Sequence, residues 1–182
     1  RVLRAHSEQL KTLSLRPRLV VGPGDQSIFP RLIQSHQLGR LLQVGEGRNI
    51  VSMTSISNMM RGLDCAVFGP DEVCGDIYNL ADPQPVNLWQ VINQLMPLLG
   101  LPPVTRKVSY GVAYALAAVV ETAHRLRRKS TEPDLLRYKV AVMGNSFTLN
   151  IERAKRKLGY DPLLSIDDTL HDFAQWWKQQ NG

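Results

Sequence analysis

Apolar positions along the chain follow two patterns. Short dense runs are bounded by Gly, Pro, Asn or Asp, and longer stretches repeat every three or four residues. The first pattern is that of strands covered on both faces, and the second that of helices with one buried face. The densest early run spans Lys11 to Val21 and holds Leu13, Leu15, Leu19, Val20 and Val21. Pro17 interrupts it; a proline has no N–H for a ladder, so a bulge or the end of pairing is predicted there. Gly22-Pro23-Gly24-Asp25 then fits a type II turn, with Pro23 fixing φ at its second position and Gly24 supplying φ > 0 at its third. A strand that empties into such a turn is a plausible ligand edge, because open α/β sheets bind ligands beyond the carboxyl ends of their strands.

The remaining elements follow from the same periods. Arg1 to Leu10 reads as the tail of a helix. Ser27 can cap a helix through Leu38, with Pro30 tolerated in its first turn and Gly39 ending it. Leu41 to Val44 and Asn49 to Ser52 read as extended around Gly45-Glu46-Gly47, Ser57 to Phe68 as a helix, and Asp76 to Leu80 as a strand. Asn87 with Gln90 forms a capping-box pattern before Leu88, Val91, Ile92, Leu95 and Leu99; Pro97 strains the last turn and Gly100 stops it. Val104 to Val108 is predicted as a strand, Tyr110 to Leu126 as a long helix and Glu132 to Val142 as another. Phe147 to Leu149 is predicted extended. Asn150 caps Ile151–Leu158, which Gly159 closes. Ser165 and Asp168 open a final helix with Ile166, Leu170, Phe173 and Trp177 on one face. Strands alternating with helices predict an α/β class with parallel pairing.

Composition changes this picture little. The chain has 182 residues, 43% of them hydrophobic, enough for a sizeable core. It shows no secretory signal pattern and no apolar stretch long enough to span a bilayer. Cys65 and Cys74 form no CxxC pair, and reduced thiols in a cytoplasmic setting are expected. The net charge of +6 is uneven: residues 51–100 carry Arg61 against five acids, whereas Arg125, Arg127, Arg128 and Lys129 cluster. No aromatic-interleaved basic stripe accompanies them, so solvated helix faces are favoured and nucleic acid is set aside.

Complete catalytic chemistry is absent from the sequence. There is no Gly-x-Gly-x-x-Gly and no Tyr-x-x-x-Lys; His6, His36, His124 and His171 are scattered without metal-ligand or triad spacing. No catalytic and no metal-binding residue is assigned. Asp167-Asp168 reads as helix N-terminal charge. This absence, with the start at Arg1, gives the expectation that residues 1–182 are the last dinucleotide-fold strands plus a substrate-binding subdomain, with the dinucleotide-binding half upstream.

The segments RPRLVVGPGD, FPRLIQSHQLGRLLQVGEGRNIVSMTSISN, YNLADPQPVNLWQVINQLMPLLGLPPVT and AKRKLGYDPLLSIDDTL together resemble the C-terminal portion of the extended short-chain dehydrogenase/reductase superfamily, in its 3β-hydroxysteroid dehydrogenase-like branch. The resemblance runs almost end to end. It implies a Rossmann-like NAD(P)-binding α/β fold with a mixed α/β substrate subdomain. It also implies hydride transfer between NAD or NADP and the CH–OH/C=O group of a substrate. By that resemblance Pro17, Leu19 and Val20 border the nicotinamide. Gly22, Pro23, Gly24 and Asp25 shape the rim where cofactor meets substrate. Arg31 either faces that cleft or is a plain surface arginine. Leu19 stands where nucleotide-sugar enzymes of the superfamily often carry an asparagine. A leucine cannot donate that hydrogen bond, so a hydrophobic small-molecule substrate, steroid-like or a long-chain 3-oxo/3-hydroxy compound, is expected. A nucleotide-sugar epimerase or dehydratase, and a non-catalytic lipid- or dinucleotide-binding module, are the alternatives. SMTSISN lacks the aspartate usual at Ser57 and often found near Ser52 but keeps Asn58, which puts a polar contact of the family in question.

Val108 to Val120, largely small and apolar, has basic residues on both sides. A lid or core helix is favoured over one lying in anionic lipid, since surface-lying helices usually show a strong polar face. Peripheral membrane contact and a homodimer of the whole protein stay open.

Overall fold

The computed structural model describes residues 2–126 and 135–181. In chain order the elements are β1 (Ser14–Pro17), β2 (Val20–Val21), α1 (Phe29–Gln37), β3 (Gln43–Val44), β4 (Ile50–Val51), β5 (Thr54–Ser55), α2 (Ile56–Phe68), β6 (Ile77–Leu80), β7 (Val86–Asn87), α3 (Leu88–Leu98), β8 (Lys107–Val108), α4 (Tyr110–Leu126), α5 (Arg137–Gly144) and α6 (Ile166–Asn181). The chain forms two compact units, Arg1–Arg31 with Ser52–Val86 and Thr148–Gly182, and Leu32–Val51 with Asn87–Phe147.

In the first unit, β1 pairs in parallel with β6, from Ser14 opposite Ile77 to Pro17 opposite Leu80. β2 pairs in parallel with β5, Val20 opposite Thr54. Along β6 Tyr78 and Leu80 are buried and their neighbours are less so, the period-2 burial of a strand covered more on one face. Tyr78 and Leu80 join Val73, Ala81, Ile151, Ala154, Leu158 and Tyr160 in one apolar cluster. The buried phenols find backbone acceptors: Tyr78 donates to the Val73 carbonyl at 2.9 Å and Tyr160 to the Ala81 carbonyl at 3.0 Å. α2 approaches the strands through Gly62, where a Cβ would stand 2.5 Å from Leu80 Cδ1. α6 buries Ile166, Leu170, Phe173 and Ala174, and Phe173 meets Phe29 edge-on with ring centroids 4.9 Å apart.

In the second unit β3 pairs in parallel with β8, and Val51 bridges Phe147. α3 carries the core, burying Leu88, Trp89, Val91, Ile92, Leu95 and Met96. Asn87 caps it as predicted, its Oδ1 accepting from the N–H groups of Trp89 and Gln90 at 3.0 Å. The Trp89 indole donates to the Met143 carbonyl at 3.0 Å.

Several predicted elements change form. Arg1 to Leu10 is not a helix tail: a 3-10 turn covers Val2–Ala5, and His6 Nδ1 accepts the Thr12 N–H at 3.1 Å while its ring lies against Gly75. The Lys11–Val21 strand breaks at Arg18-Leu19. The Val104–Val108 strand shortens to β8, and Phe147 to Leu149 keeps a single bridge. The helix expected over Glu132 to Val142 is α5, starting at Arg137 and running on to Gly144; Glu132 lies outside the described residues, as do Arg1 and Arg127 to Lys129. Residues Ala154–Leu158 form a π turn, closed by left-handed Gly159 at φ 72°.

Gly62→Ala is expected to lower stability by about 1–3 kcal/mol, because the added methyl overpacks a buried contact. Gly111→Ala in α4, where a Cβ meets nothing within 4 Å, should raise stability by about 0.5–1 kcal/mol through helix propensity. Chemical denaturation of both variants checks the pair; equal midpoints would show that the α2–β6 approach is loose.

Candidate functional site

The site predicted from the sequence lies at the carboxyl ends of β1 and β2, and the geometry there starts with a kink. β1 ends at Pro17, as its missing N–H requires. Leu19 then takes φ 45°, the only non-glycine residue with positive φ among those described. A Cβ in that region crowds the following carbonyl, at a cost of roughly 1–2 kcal/mol. The Thr54 side chain offsets the lost ladder: its Oγ1 accepts the Arg18 N–H at 3.2 Å and donates to the Arg18 carbonyl at 2.8 Å. The Thr54 N–H donates to the Leu19 carbonyl at 3.2 Å. One buried threonine thus stands in for a strand partner across the kink, and β2 resumes pairing at once.

The turn forms as predicted. The Asp25 N–H donates to the Gly22 carbonyl at 3.0 Å, and Gly24 takes φ 87°. Gly22 is needed twice over, since it adopts φ 137° and a Cβ there would lie 2.7 Å from Ile56 Cγ2.

Asp25 has a more definite task than the sequence suggested, and it corrects the assignment of the helix cap to Ser27. Its Oδ1 accepts the N–H groups of Ser27 and Ile28 at 2.7 and 3.0 Å, and its Oδ2 that of Phe29 at 2.8 Å. Ser27 adds its hydroxyl to the same carboxylate at 3.2 Å. Carboxylate charge at a helix start is favourable, and the cap fixes the direction in which α1 leaves the turn. Pro17, Pro23, Gly24 and Arg31 are exposed, Leu19, Val20 and Asp25 half-buried, and Gly22 buried. The chain thus brings an apolar strand end, a glycine turn and a helix start together in sequence, with Arg31 on the first turn of α1.

Beneath this edge lies a polar centre the sequence did not reveal. Asp82, 5% exposed, accepts three hydrogen bonds: from the Ser55 N–H and hydroxyl at 2.8 Å each, and from the Asn58 amide at 2.7 Å. The Ser55 hydroxyl also meets Thr169 Oγ1 on α6. Asn58 donates to the Leu164 carbonyl at 2.9 Å, and its Oδ1 accepts the N–H groups of Leu163 and Leu164. Asn58 thus serves both the Asp82 carboxylate and the loop at Leu163-Leu164. Ser52 takes another role, its Oγ accepting the Leu149 N–H at 2.9 Å.

Burial pushes the Asp82 carboxyl above its ordinary value of 3.8, while the hydrogen bonds from Asn58 and Ser55 pull the other way. Asp168 on α6 moves in the opposite direction, held low by the Ser165 hydroxyl and N–H of its capping box. Among the described residues no group of three His, Cys, Asp or Glu could hold a metal ion.

The sequence profile of the 3-beta hydroxysteroid dehydrogenase/isomerase family matches residues 1–108. A 2-alkyl-3-oxoalkanoate reductase of Stenotrophomonas maltophilia is 36% identical over 173 residues, 93% of this chain and 52% of that protein. A Shewanella oneidensis protein of the same name is 35% identical over 88% of this chain and 43% of its own length. The 3beta-hydroxysteroid-dehydrogenase/decarboxylase isoform 1 of Arabidopsis thaliana is 26% identical over 93% of this chain and 41% of its own. The chain therefore spans about half the length of the curated relatives it matches. Among solved structures, UDP-glucuronic acid 4-epimerase of Bacillus cereus in complex with NAD superposes with a TM-score of 0.65 at 18% identity, covering 96% of this chain and 47% of that one. dTDP-glucose 4,6-dehydratase of Streptomyces venezuelae with NAD bound gives 0.64 at 19% identity, covering 100% and 48%. At those identities the likeness is one of fold: an extended short-chain dehydrogenase fold of the NAD-binding Rossmann type.

Asp82→Ala is expected to destabilise the protein by about 3–5 kcal/mol, since it strands several buried donors at once. Asp82 also sets a pH dependence. Its folded pKa exceeds its unfolded one, so its protonation favours folding fully below the ordinary aspartate value, and that contribution is lost as pH rises through the raised pKa. Denaturation across acid pH should show this slope in the native chain and a flatter one in Asp82→Asn; identical slopes would remove Asp82 as the buried titrating group.

Proposed function

The chain belongs to the 3-beta hydroxysteroid dehydrogenase/isomerase family, and from that premise we propose that the whole protein is an NAD(P)-dependent oxidoreductase acting on the alcohol or ketone group of a hydrophobic substrate. The observation that carries this reading is the kinked end of β1 and β2. It leaves Pro17 exposed and Leu19 and Val20 half-buried where parallel strands end. A flat, weakly polar ring fits such a surface through apolar and backbone contact. The phosphates of a dinucleotide need a glycine-rich turn at a helix start, and the sequence has no Gly-x-Gly-x-x-Gly; these residues would hold the ring alone.

When bound, a nicotinamide supplies or accepts the hydride. The residues of this chain do the positioning. Pro17, Leu19 and Val20 flank the ring. The Gly22–Asp25 turn, locked by the Asp25 cap, sets the rim against which the substrate carbonyl lies. Arg31 follows on the first turn of α1 and is exposed. The chain has no Tyr-x-x-x-Lys, so none of its residues is assigned the proton that the reduced carbonyl oxygen takes up.

The substrate class follows from Leu19 and is supported by the relatives. An apolar side chain in this place cannot hydrogen-bond a sugar or phosphate, and the two reductases similar to the chain are named for 2-alkyl-3-oxoalkanoates. Within the class, 3-oxo or 3-hydroxy compounds with long alkyl chains fit this reading best, and 3β-hydroxysteroids share its chemistry.

The test is oxidation of NADH and of NADPH by the whole protein offered a 2-alkyl-3-oxoalkanoate or a 3-oxosteroid, with epimerisation of UDP-glucuronic acid in the presence of NAD followed in parallel. Turnover of either hydrophobic ketone is expected, and turnover of the nucleotide sugar alone would replace this reading. Leu19→Asn should lower kcat/KM for the hydrophobic ketone by about tenfold, the scale of lost apolar complementarity. Asparagine tolerates positive φ better than leucine, so the melting temperature should hold, which separates the effect from unfolding.

A further inference from the structure

The long helix α4 does not bury its larger side chains as a core helix would. Its buried positions are the small ones, Ala113 and Ala117, while Val112, Leu116, Val119 and Leu126 are 53%, 53%, 66% and 81% exposed. With Ala123 these residues recur at i, i+4, i+7, i+11 and i+14, a single stripe along the helix. The inner face is already occupied. α5 packs on it, Arg137 forms an ion pair with Glu121 at 2.7 Å, and Tyr110 stacks on Tyr114 with centroids 5.8 Å apart. Glu121, the sole acid of the helix, is therefore turned inward and neutralised. The outward stripe carries no charge, and exposed cations stand at both ends, Arg106 and Lys107 before the helix and Arg125 in its last turn. α5 adds Tyr138, 75% exposed, an amphipathic ring suited to an apolar–aqueous boundary.

We propose that α4 is a membrane-docking element that lies flat in the headgroup region of an anionic bilayer. Val112, Leu116, Val119 and Leu126 enter the acyl boundary, and Arg106, Lys107 and Arg125 meet the lipid phosphates. Charge selects this occupant over a second copy of the chain. An antiparallel helix pair would set Arg125 of one copy against Arg106 and Lys107 of the other, and a parallel pair would set each basic end against itself; an anionic surface suits both ends at once. The described residues of α4 rise about 25 Å, and no described helix is long and apolar enough to cross a membrane. A flat-lying helix of this kind would bring a hydrophobic substrate and the enzyme to the same phase.

The test is flotation of the whole protein with phosphatidylcholine vesicles, with and without phosphatidylglycerol. Binding is expected with phosphatidylglycerol, at least about tenfold weaker without it, and reduced by salt. The double variant L116E/V119E should lose flotation while keeping its circular dichroism and melting temperature. Should that variant misfold, V119W gives an independent reading, with its emission shifting to the blue on addition of phosphatidylglycerol vesicles. No flotation and no V119W shift would overturn the proposal. Undiminished flotation of a folded L116E/V119E would overturn it too, as would a dimer that this variant dissolves, which would assign the stripe to a second copy.

Discussion

The buried carboxylate of Asp82 is the constraint on which the first unit depends. A charge or polar group taken out of water must recover its hydrogen bonds or destabilise the fold. Asp82 recovers three, and each donor belongs to a different structural decision. The Ser55 N–H fixes where β5 ends and α2 begins. Asn58 fixes the path of the chain at Leu163-Leu164, just before the last helix. The Ser55 hydroxyl reaches Thr169 on α6. Strand, helix start, returning loop and terminal helix are thus referred to one oxygen pair. β5 in turn holds β2 and the kink, so the strand end proposed to face a ligand inherits its placement from Asp82.

Features written in neighbouring residues were legible in the sequence. The Gly22–Asp25 turn, the Asn87 cap, the Ser165–Asp168 box, the Pro17 interruption and the left-handed Gly159 are all local, with partners no more than five positions away, where backbone geometry decides the outcome. The family resemblance and the α/β class followed from the order of such elements. Features that depend on distant partners were not legible. Asp82 lies 27 residues from Ser55 and 24 from Asn58, and nothing in LADPQ marks it as buried. The kink needs Thr54, 36 positions away. The N-terminal helix gave way to tertiary contacts of His6. In α4 the periodicity sets alanines on one face and larger residues on the other. Apolar content alone does not say which of those two faces is covered.

The relatives and the geometry bear on different parts of the reading. Identity near 36% to reductases of 3-oxoalkanoates supports a substrate class, whereas superposition on nucleotide-sugar enzymes at 18–19% identity reflects a shared scaffold. Function varies on such a scaffold through a few positions at the strand ends. Leu19 is the position proposed for this role, and its left-handed backbone is held against a local preference.

That kink also changes how the strand run can be altered over time. β1 is registered only against β6 and β2 only against β5, and the two ladders meet at Arg18-Leu19 without sharing a hydrogen-bonded pair. In an unbroken strand, losing or gaining one residue turns every later side chain to the opposite face. Here such a slip can be absorbed between the ladders, in the stretch that Thr54 bridges. The Tyr78–Leu80 core face and the edge formed by Val20 and the turn can then diverge separately.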